Sequence, residues 1–249
     1  LVLNAVFPPG EPVFKNALYL YLNSFFKEHQ SEIHSLYALN ILKEMDTNGS
    51  SFSLTLGGNS KASTDALQWI LKKFKEYEPS QEAFDRERSS YENQVEQQTQ
   101  GFTANLALRR AFEFIRNGML SPEQELASIH NLTRDEAVRL VKMAIERADL
   151  YFGLSGDFDF ESAKEITQSV RQVFPLPLTN EQRKEADDRF TRITKSGRYW
   201  FPLPKGQEAD TFGHVRFFQG PDSLTPQHAA LLIATPALSA QTFLINRSR

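Results

Sequence analysis

"ALNILKEMDTNGSSFSLTLGG", residues 38 to 58, is the stretch that decides the fold. Asn48-Gly49 stands between two candidate strands. That dipeptide accepts the left-handed backbone of a two-residue hairpin turn, whose twist matches that of paired strands. From Ser51 to Leu56 polar and apolar residues alternate with period two, so one face is buried and the other wet. Gly57 and Gly58 end the second strand. An antiparallel hairpin is therefore expected here, with helical patterns on both sides.

Working outward, "LVLNAVF", residues 1 to 7, is an apolar run closed by Pro8, Pro9 and Gly10, which reads as a strand and a loop. A helix follows from about Pro12, since proline is tolerated in a first turn, and is expected to reach about Gln30. Beyond the hairpin, "GGNSKAS" reads as a strand-to-helix turn with a serine cap. Ala66, Leu67, Ile70, Leu71 and Phe74 recur at helical spacing before Pro79. Residues 80 to 98 form a polar helix, and "NLALRRAFEFIRN" resumes a helix after Gly101 and stops at Gly118. Ser121-Pro122-Glu123 starts another. Thr133 to Glu136 has the spacing of a capping box, which leads a helix to about Asp149. "ADLYFGLSGDFD" reads as a short buried strand and a turn, and residues 161 to 172 as one more helix.

Helices gathered after a small antiparallel sheet are the α+β pattern. The expected organisation is one such domain over residues 1–175, a linker over 176–195, and the truncated beginning of a second, similar domain over 196–249. Pro175, Pro177 and the charged run "NEQRKEADDRFTR" mark the linker. "GRYWFPLP" and "HVRFFQG" read as strands of the second unit, and "TPQHAALLIATPALSAQTFLINR" as its first helical region, broken or kinked at Pro236.

The 249 residues are 40% hydrophobic and 24% charged, with a net charge of −3, a globular composition long enough for a sizeable core. A near-balanced charge gives no electrostatic case for a nucleic-acid partner. No run approaches the roughly 18 apolar residues of a membrane span. The absence of cysteine excludes disulfides, thiolate zinc sites and cysteine nucleophiles. The chain does not begin with Met and stops at "INRSR", just after an apolar helical pattern, so it is expected to be a fragment of something longer.

The residues alone give no catalytic constellation. His29, His34, His130, His214 and His228 form neither H-E-x-x-H nor H-x-x-E-H. His29 and His34 lie five apart, about 140° around a helix, and do not face one another. "GGNSKAS" lacks the G-x-x-x-x-G-K-[ST] of a phosphate loop. Ser155-Gly156-Asp157 is no nucleophile elbow. Glu87, Glu92 and Glu96 read as the solvated face of a polar helix, and Arg216, Phe217 and Phe218 as strand packing.

The order of elements, with three local stretches, resembles the pitrilysin/insulinase family of zinc metallopeptidases, chains of four homologous α+β domains of which the first carries H-x-x-E-H. In that active domain, the helix after the first strand reads like G-L-A-H-F-L-E-H-M-L-F. Here the similar helix is "NALYLYLNSFF", residues 16 to 26. Tyr19 falls at the first zinc histidine, Leu22 at the catalytic glutamate and Asn23 at the second histidine. By this resemblance the zinc-motif positions are degenerate, and no metal-binding or catalytic residue is expected in the chain. The second stretch, residues 84 to 115, is similar to the helix pair that carries the third ligand, a Glu, with Glu92 in about that region. The third, "FFQGPDSLTPQHAALLIATPALSAQTFLINR", looks like the opening of the fourth domain, with its P-x-F-x-x-L-R-like motif. Phe243 and Arg247 match, and Asn246 replaces the Leu.

The resemblance implies a non-catalytic third domain with the start of the fourth, forming part of a substrate-enclosing chamber. It implies zinc in the catalytic domain of the parent chain, that domain and peptide substrates as partners, Arg247 as a substrate-binding residue, and a periplasmic home. The rival expectation is a catalytically inactive scaffold or binding subunit of the same fold, like the core subunits of respiratory complexes or the inactive partners of two-subunit processing peptidases.

Overall fold

The computed structural model describes residues 1–8, 12–37, 39–45, 51–99, 103–115 and 119–187. Strand β1 is Val2–Val6, helix α1 Pro12–Tyr37, β2 Asn40–Met45, β3 Ser51–Gly57, α2 Ser60–Glu76 and α3 Gln81–Thr99. They are followed by α4 Thr103–Ile115, α5 Pro122–Asn131, α6 Arg134–Ile145, β4 Asp149–Gly153, α7 Phe160–Val173 and α8 Asn180–Asp187. The four strands form one antiparallel sheet in the order β2-β3-β1-β4. This is the expected α+β architecture, a small sheet covered by helices.

The alternation read from residues 51–56 sets the sheet's two faces. Phe52, Leu54 and Leu56 are buried, and Leu54 lies opposite Leu3 of β1 and Lys43 of β2. Leu3 in turn faces Phe152 of β4. On this face lies α1, with Leu18, Leu22, Phe25 and Phe26 in the core. Helix α1 packs against α2, α3, α5 and α6, so one long helix is the central support of the domain. Burying its apolar side chains contributes about 1.5–3 kcal/mol each before the entropy of ordering is subtracted.

Several local expectations are corrected. Helix α1 runs seven residues past Gln30 to Tyr37 because fully buried Ile33 anchors the added turns. Helix α6 ends at Ile145, before Asp149: the Ala148 amide donates to Leu176 O and Asp149 joins the sheet opposite Val6. Strand β4 is not buried but is a half-exposed edge, with Tyr151 59% exposed. The cap of α2 is Asn59, not a serine; its side chain accepts from the Lys61 and Ala62 amides. Thr133 Oγ1 accepts from the Glu136 amide as expected, while the reciprocal box closes one helix earlier, between Ser121 and Gln124. The Asn48-Gly49 turn lies outside the described residues, but β2 and β3 pair on either side of it.

Residues 176 to 187, where the linker was expected to begin, are held against the domain. Leu176 exchanges backbone hydrogen bonds with Glu146 and Ala148, Leu178 is buried, and Arg183 of α8 grips Asp149. The stretch from 196 to 249 lies outside the described residues.

Candidate functional site

Tyr19, Leu22 and Asn23, expected to occupy degenerate motif positions, sit where α1 meets α3 and β2. They do not act as a unit. Leu22 is 5% exposed and lines an apolar pocket with Leu3, Phe26, Phe52, Leu54 and Phe74. Tyr19 and Asn23, one helical turn apart, are half-buried and turn to other neighbours. The Tyr19 ring stacks on Tyr91 of α3 at 4.0 Å, and its hydroxyl donates to Gln94 Oε1 at 2.9 Å. Asn23 Oδ1 accepts from Lys43 Nζ of β2 at 2.7 Å. Lys43 also lies over the Phe26 ring, 5.1 Å from its centroid.

The next turn of α1 carries Lys27, whose ammonium stands 2.8 Å from Glu87 Oε2 on α3. Glu87 has a side chain only 4% exposed, and its other oxygen lies 3.5 Å from Arg86 Nε. This corrects the expectation of a solvated face for Glu87. Glu92, expected near a third-ligand position, instead approaches exposed His130 at 3.7 Å. The α3 carboxylate whose charge acts on both Tyr19 and Lys43 is Glu87. A signal was present in the sequence: Phe84, Glu87, Tyr91 and Val95 share one face of α3 at helical spacing, with three apolar members around the acid.

The electrostatics follow from this packing. Burial pushes the Tyr19 phenol above its ordinary pKa, against the opposing Asn23 hydrogen bond. Burial pulls Lys43 below its ordinary value, opposed by Glu87 and reinforced by Lys27. Two ammonium groups thus converge on a cluster with one buried carboxylate.

These residues do not fit a zinc ion. Leu22 offers no donor and faces the core. Tyr19 is a neutral phenol donating to Gln94, and the Asn23 oxygen is held by a cation. Glu87 is already neutralised by Lys27. Zinc requires deprotonated or neutral-nitrogen ligands without a competing positive charge among them. No group of three or more His, Cys, Asp or Glu side chains suited to a metal occurs among the described residues. His29, expected at a solvated helix end, lies inside α1 and packs edge-on against Phe25 and Trp69. Arg247, His214 and His228 lie outside the described residues.

A second polar cluster, which the sequence reading missed, surrounds buried Glu125 of α5. Its carboxylate takes Lys15 Nζ at 3.0 Å, Arg109 Nη2 at 2.7 Å and the Tyr91 hydroxyl at 2.6 Å. Tyr91 ties this cluster to Tyr19. Burial would raise the Glu125 pKa, but Lys15, Tyr91 and Arg109 together hold it below the ordinary carboxylate range. Such a group, with both carboxylate oxygens paired, is a structural junction of α1, α3, α4 and α5.

No protein-family model and no curated protein matches the sequence. Among solved structures, the chain is similar to the crystal structure of pitrilysin, with 12% identity over 70% of this chain and 19% of that one, at a TM-score of 0.49. It is also similar to a chain of complex III2 from Candida albicans with Inz-5 bound: 10% identity, 72% and 42% covered, TM-score 0.47. A third is a conserved protein from Enterococcus faecalis V583: 17% identity, 60% and 37% covered, TM-score 0.42. The chain spans less than half the length of each of these structures.

Proposed function

We propose that this chain is a non-catalytic portion of a pitrilysin-like zinc metalloendopeptidase and forms part of the wall of its substrate-enclosing chamber. The observation that carries the reading is the pairing at α1. Tyr19, Leu22 and Asn23, which the resemblance sets against the family motif's histidines and glutamate, are each absorbed into packing or hydrogen bonding. The helix is kept as a support for the sheet while the zinc chemistry is missing. Hydrolysis is then the work of another domain of the parent chain, whose zinc activates water there. This chain's share is to close the space around a peptide, with Arg247 offering a planar fork of donors to its backbone.

The test is the intact parent chain, identified by mass spectrometry of the native protein. The expected result is an H-x-x-E-H helix outside these 249 residues and endopeptidase activity that a chelator abolishes. A parent carrying only further degenerate helices, with no zinc and no hydrolysis, would replace this reading with that of an inactive scaffold or binding subunit.

A further inference from the structure

The row of α1 that carries Tyr19 and Asn23 continues one turn on with Lys27, so the three side chains line one helix face. Helix α3 flanks this row through Tyr91 and Glu87, and β2 flanks it through Lys43. Its charges are not presented alike. The Glu87 side chain is only 4% exposed, whereas its partners Lys27 and Arg86 are 49% and 55% exposed. A ligand that approaches between α3 and β2 therefore meets cations first. The carboxylates nearest in sequence are turned elsewhere: Asp85 to Arg88, Glu28 to the Tyr77 hydroxyl and Glu92 to His130. Glu44 alternates with Lys43 onto the other face of the sheet.

Lys43 is the unbalanced member. Among the described residues three lysines are half-buried, Lys15, Lys43 and Lys142. Lys15 pairs with Glu125 and Lys142 with Glu78. Lys43 instead donates to the neutral oxygen of Asn23 and lies over the Phe26 ring, and it forms no ion pair among the described residues. A cation partly withdrawn from water calls for a counter-charge. Its lowered pKa has the same origin: burial first, with Glu87 opposing and Lys27 adding to the fall. Asn23 occupies one of the three donors of an ammonium.

We infer that Lys43 and Lys27 form a binding site for a single carboxylate, that of an acidic side chain or of the C-terminus of a peptide. One unbalanced, half-buried positive charge calls for a monoanion. Lys27, shared with Glu87, supplies further donors from across the row. The half-buried Tyr19 ring, on the same face, offers the adjoining peptide a flat apolar surface. The carboxylate site stands on these charges alone; its use as a substrate subsite rests on the proposed chamber wall.

The experiment titrates the full 249-residue chain by NMR at neutral pH with a capped tripeptide that has glutamate between two alanines. Its glutamine counterpart and that glutamine peptide with a free C-terminus complete the set. At least one carboxylate-bearing peptide should bind at least about fivefold more tightly than the neutral one. A preference for the glutamate peptide assigns the side chain as the source, and one for the free C-terminus assigns the chain end. Lys43→Met should abolish the preference, Lys43→Arg should keep most of it, and Lys72→Met on α2 should leave it unchanged. Equal binding of all the peptides, or a preference that survives Lys43→Met, would overturn the inference. Inorganic phosphate binding more tightly than the best peptide would do the same. Stability supplies a readout that needs no ligand. Removing a cation that has no counter-charge should hold or raise Tm, so a fall of more than about 4 °C in Lys43→Met would show that the chain balances Lys43 itself and would also overturn the site. Hydrolysis by the parent chain is measured separately. A missing carboxylate preference leaves the chamber wall standing, and an inactive parent leaves the carboxylate site standing.

Discussion

Lys27 Nζ lies 2.8 Å from Glu87 Oε2 and joins α1 to α3 through a carboxylate that is almost wholly buried. Removing one partner of such a pair leaves the other charge without compensation, which costs more than the pair contributes. Lys27 itself is half exposed, so water enters when it is cut back and the penalty shrinks. Lys27→Met should destabilise the domain by about 1–2 kcal/mol in urea unfolding. Adding Glu87→Gln to that variant should recover most of the loss, giving a clear coupling in the double-mutant cycle. Additive losses would show that the two side chains do not depend on one another.

Leu22 offers a sharper contrast. Restoring a carboxylate there, as Leu22→Glu, would bring a charge into the apolar pocket between α1 and the sheet. An unpaired buried carboxylate costs several kcal/mol or forces a proton onto itself. The expected outcome is a fall of at least about 3 kcal/mol in stability, enough to unfold a marginal domain. Leu22→Met should stay within about 1.5 kcal/mol of the parent, because volume and apolarity are kept. Equal stability of Leu22→Glu and Leu22→Met would mean that position 22 faces solvent.

Glu125 links stability to acid. Its folded carboxyl is held below the ordinary value by Lys15, Tyr91 and Arg109 acting against burial. Folding therefore favours the ionised form. That contribution is complete above the unfolded pKa of about 4.3 and is lost as the pH falls through the lower folded value. Glu125→Gln should cost about 3 kcal/mol at neutral pH, since two cations lose their partner. Below about pH 4.5 the difference between variant and parent should narrow. Asp149, also held low by Arg183, leaves some acid sensitivity in the variant. A gap that stays constant from pH 7 to pH 3 would show that Glu125 is not the titrating group.

What could be read from the sequence was periodic. Residues 51–56 announced their buried face by alternation, and α2 announced its own by the spacing from Ala66 to Phe74, because each pattern is complete within one element. Glu87 was misread because its burial is a property of two elements. A glutamate in a polar helix looks solvated until Lys27, sixty positions earlier, is brought against it. The same holds for β4: its residues are apolar enough for an interior strand, and only the order β2-β3-β1-β4 makes it an edge. Glu125 became a junction through Lys15 and Arg109 from two other helices, a convergence with no local signature.

The tether of α8 moves the expected site of first cleavage. A protease needs an exposed stretch that can open locally. Leu178 is buried and Arg183 clamps Asp149, so the backbone from 176 to 187 is engaged although its composition is that of a linker. Limited proteolysis should make its first cut after Asp187, leaving a stable fragment that begins at Leu1. A first cut between Pro175 and Asn180 would show that the clamp does not hold in solution, and one within residues 60 to 150 would contradict the domain described.

Arg247 carries the functional proposal into kinetics. The resemblance proposes it as the arginine of a fourth-domain motif, and it lies outside the described residues. A guanidinium that holds a peptide carbonyl mainly in the transition state contributes to turnover, whereas one that binds ground and transition states alike contributes to the Michaelis constant. In the intact parent protein, Arg247→Ala should lower kcat/KM by at least about tenfold, roughly 1.4 kcal/mol. Zinc content and Tm should be nearly unchanged, because the arginine is proposed to touch substrate and not the metal or the core. Arg247→Lys should recover little, since a single ammonium cannot reproduce the planar fork. Parental kinetics in Arg247→Ala would remove this arginine from the substrate-binding proposal.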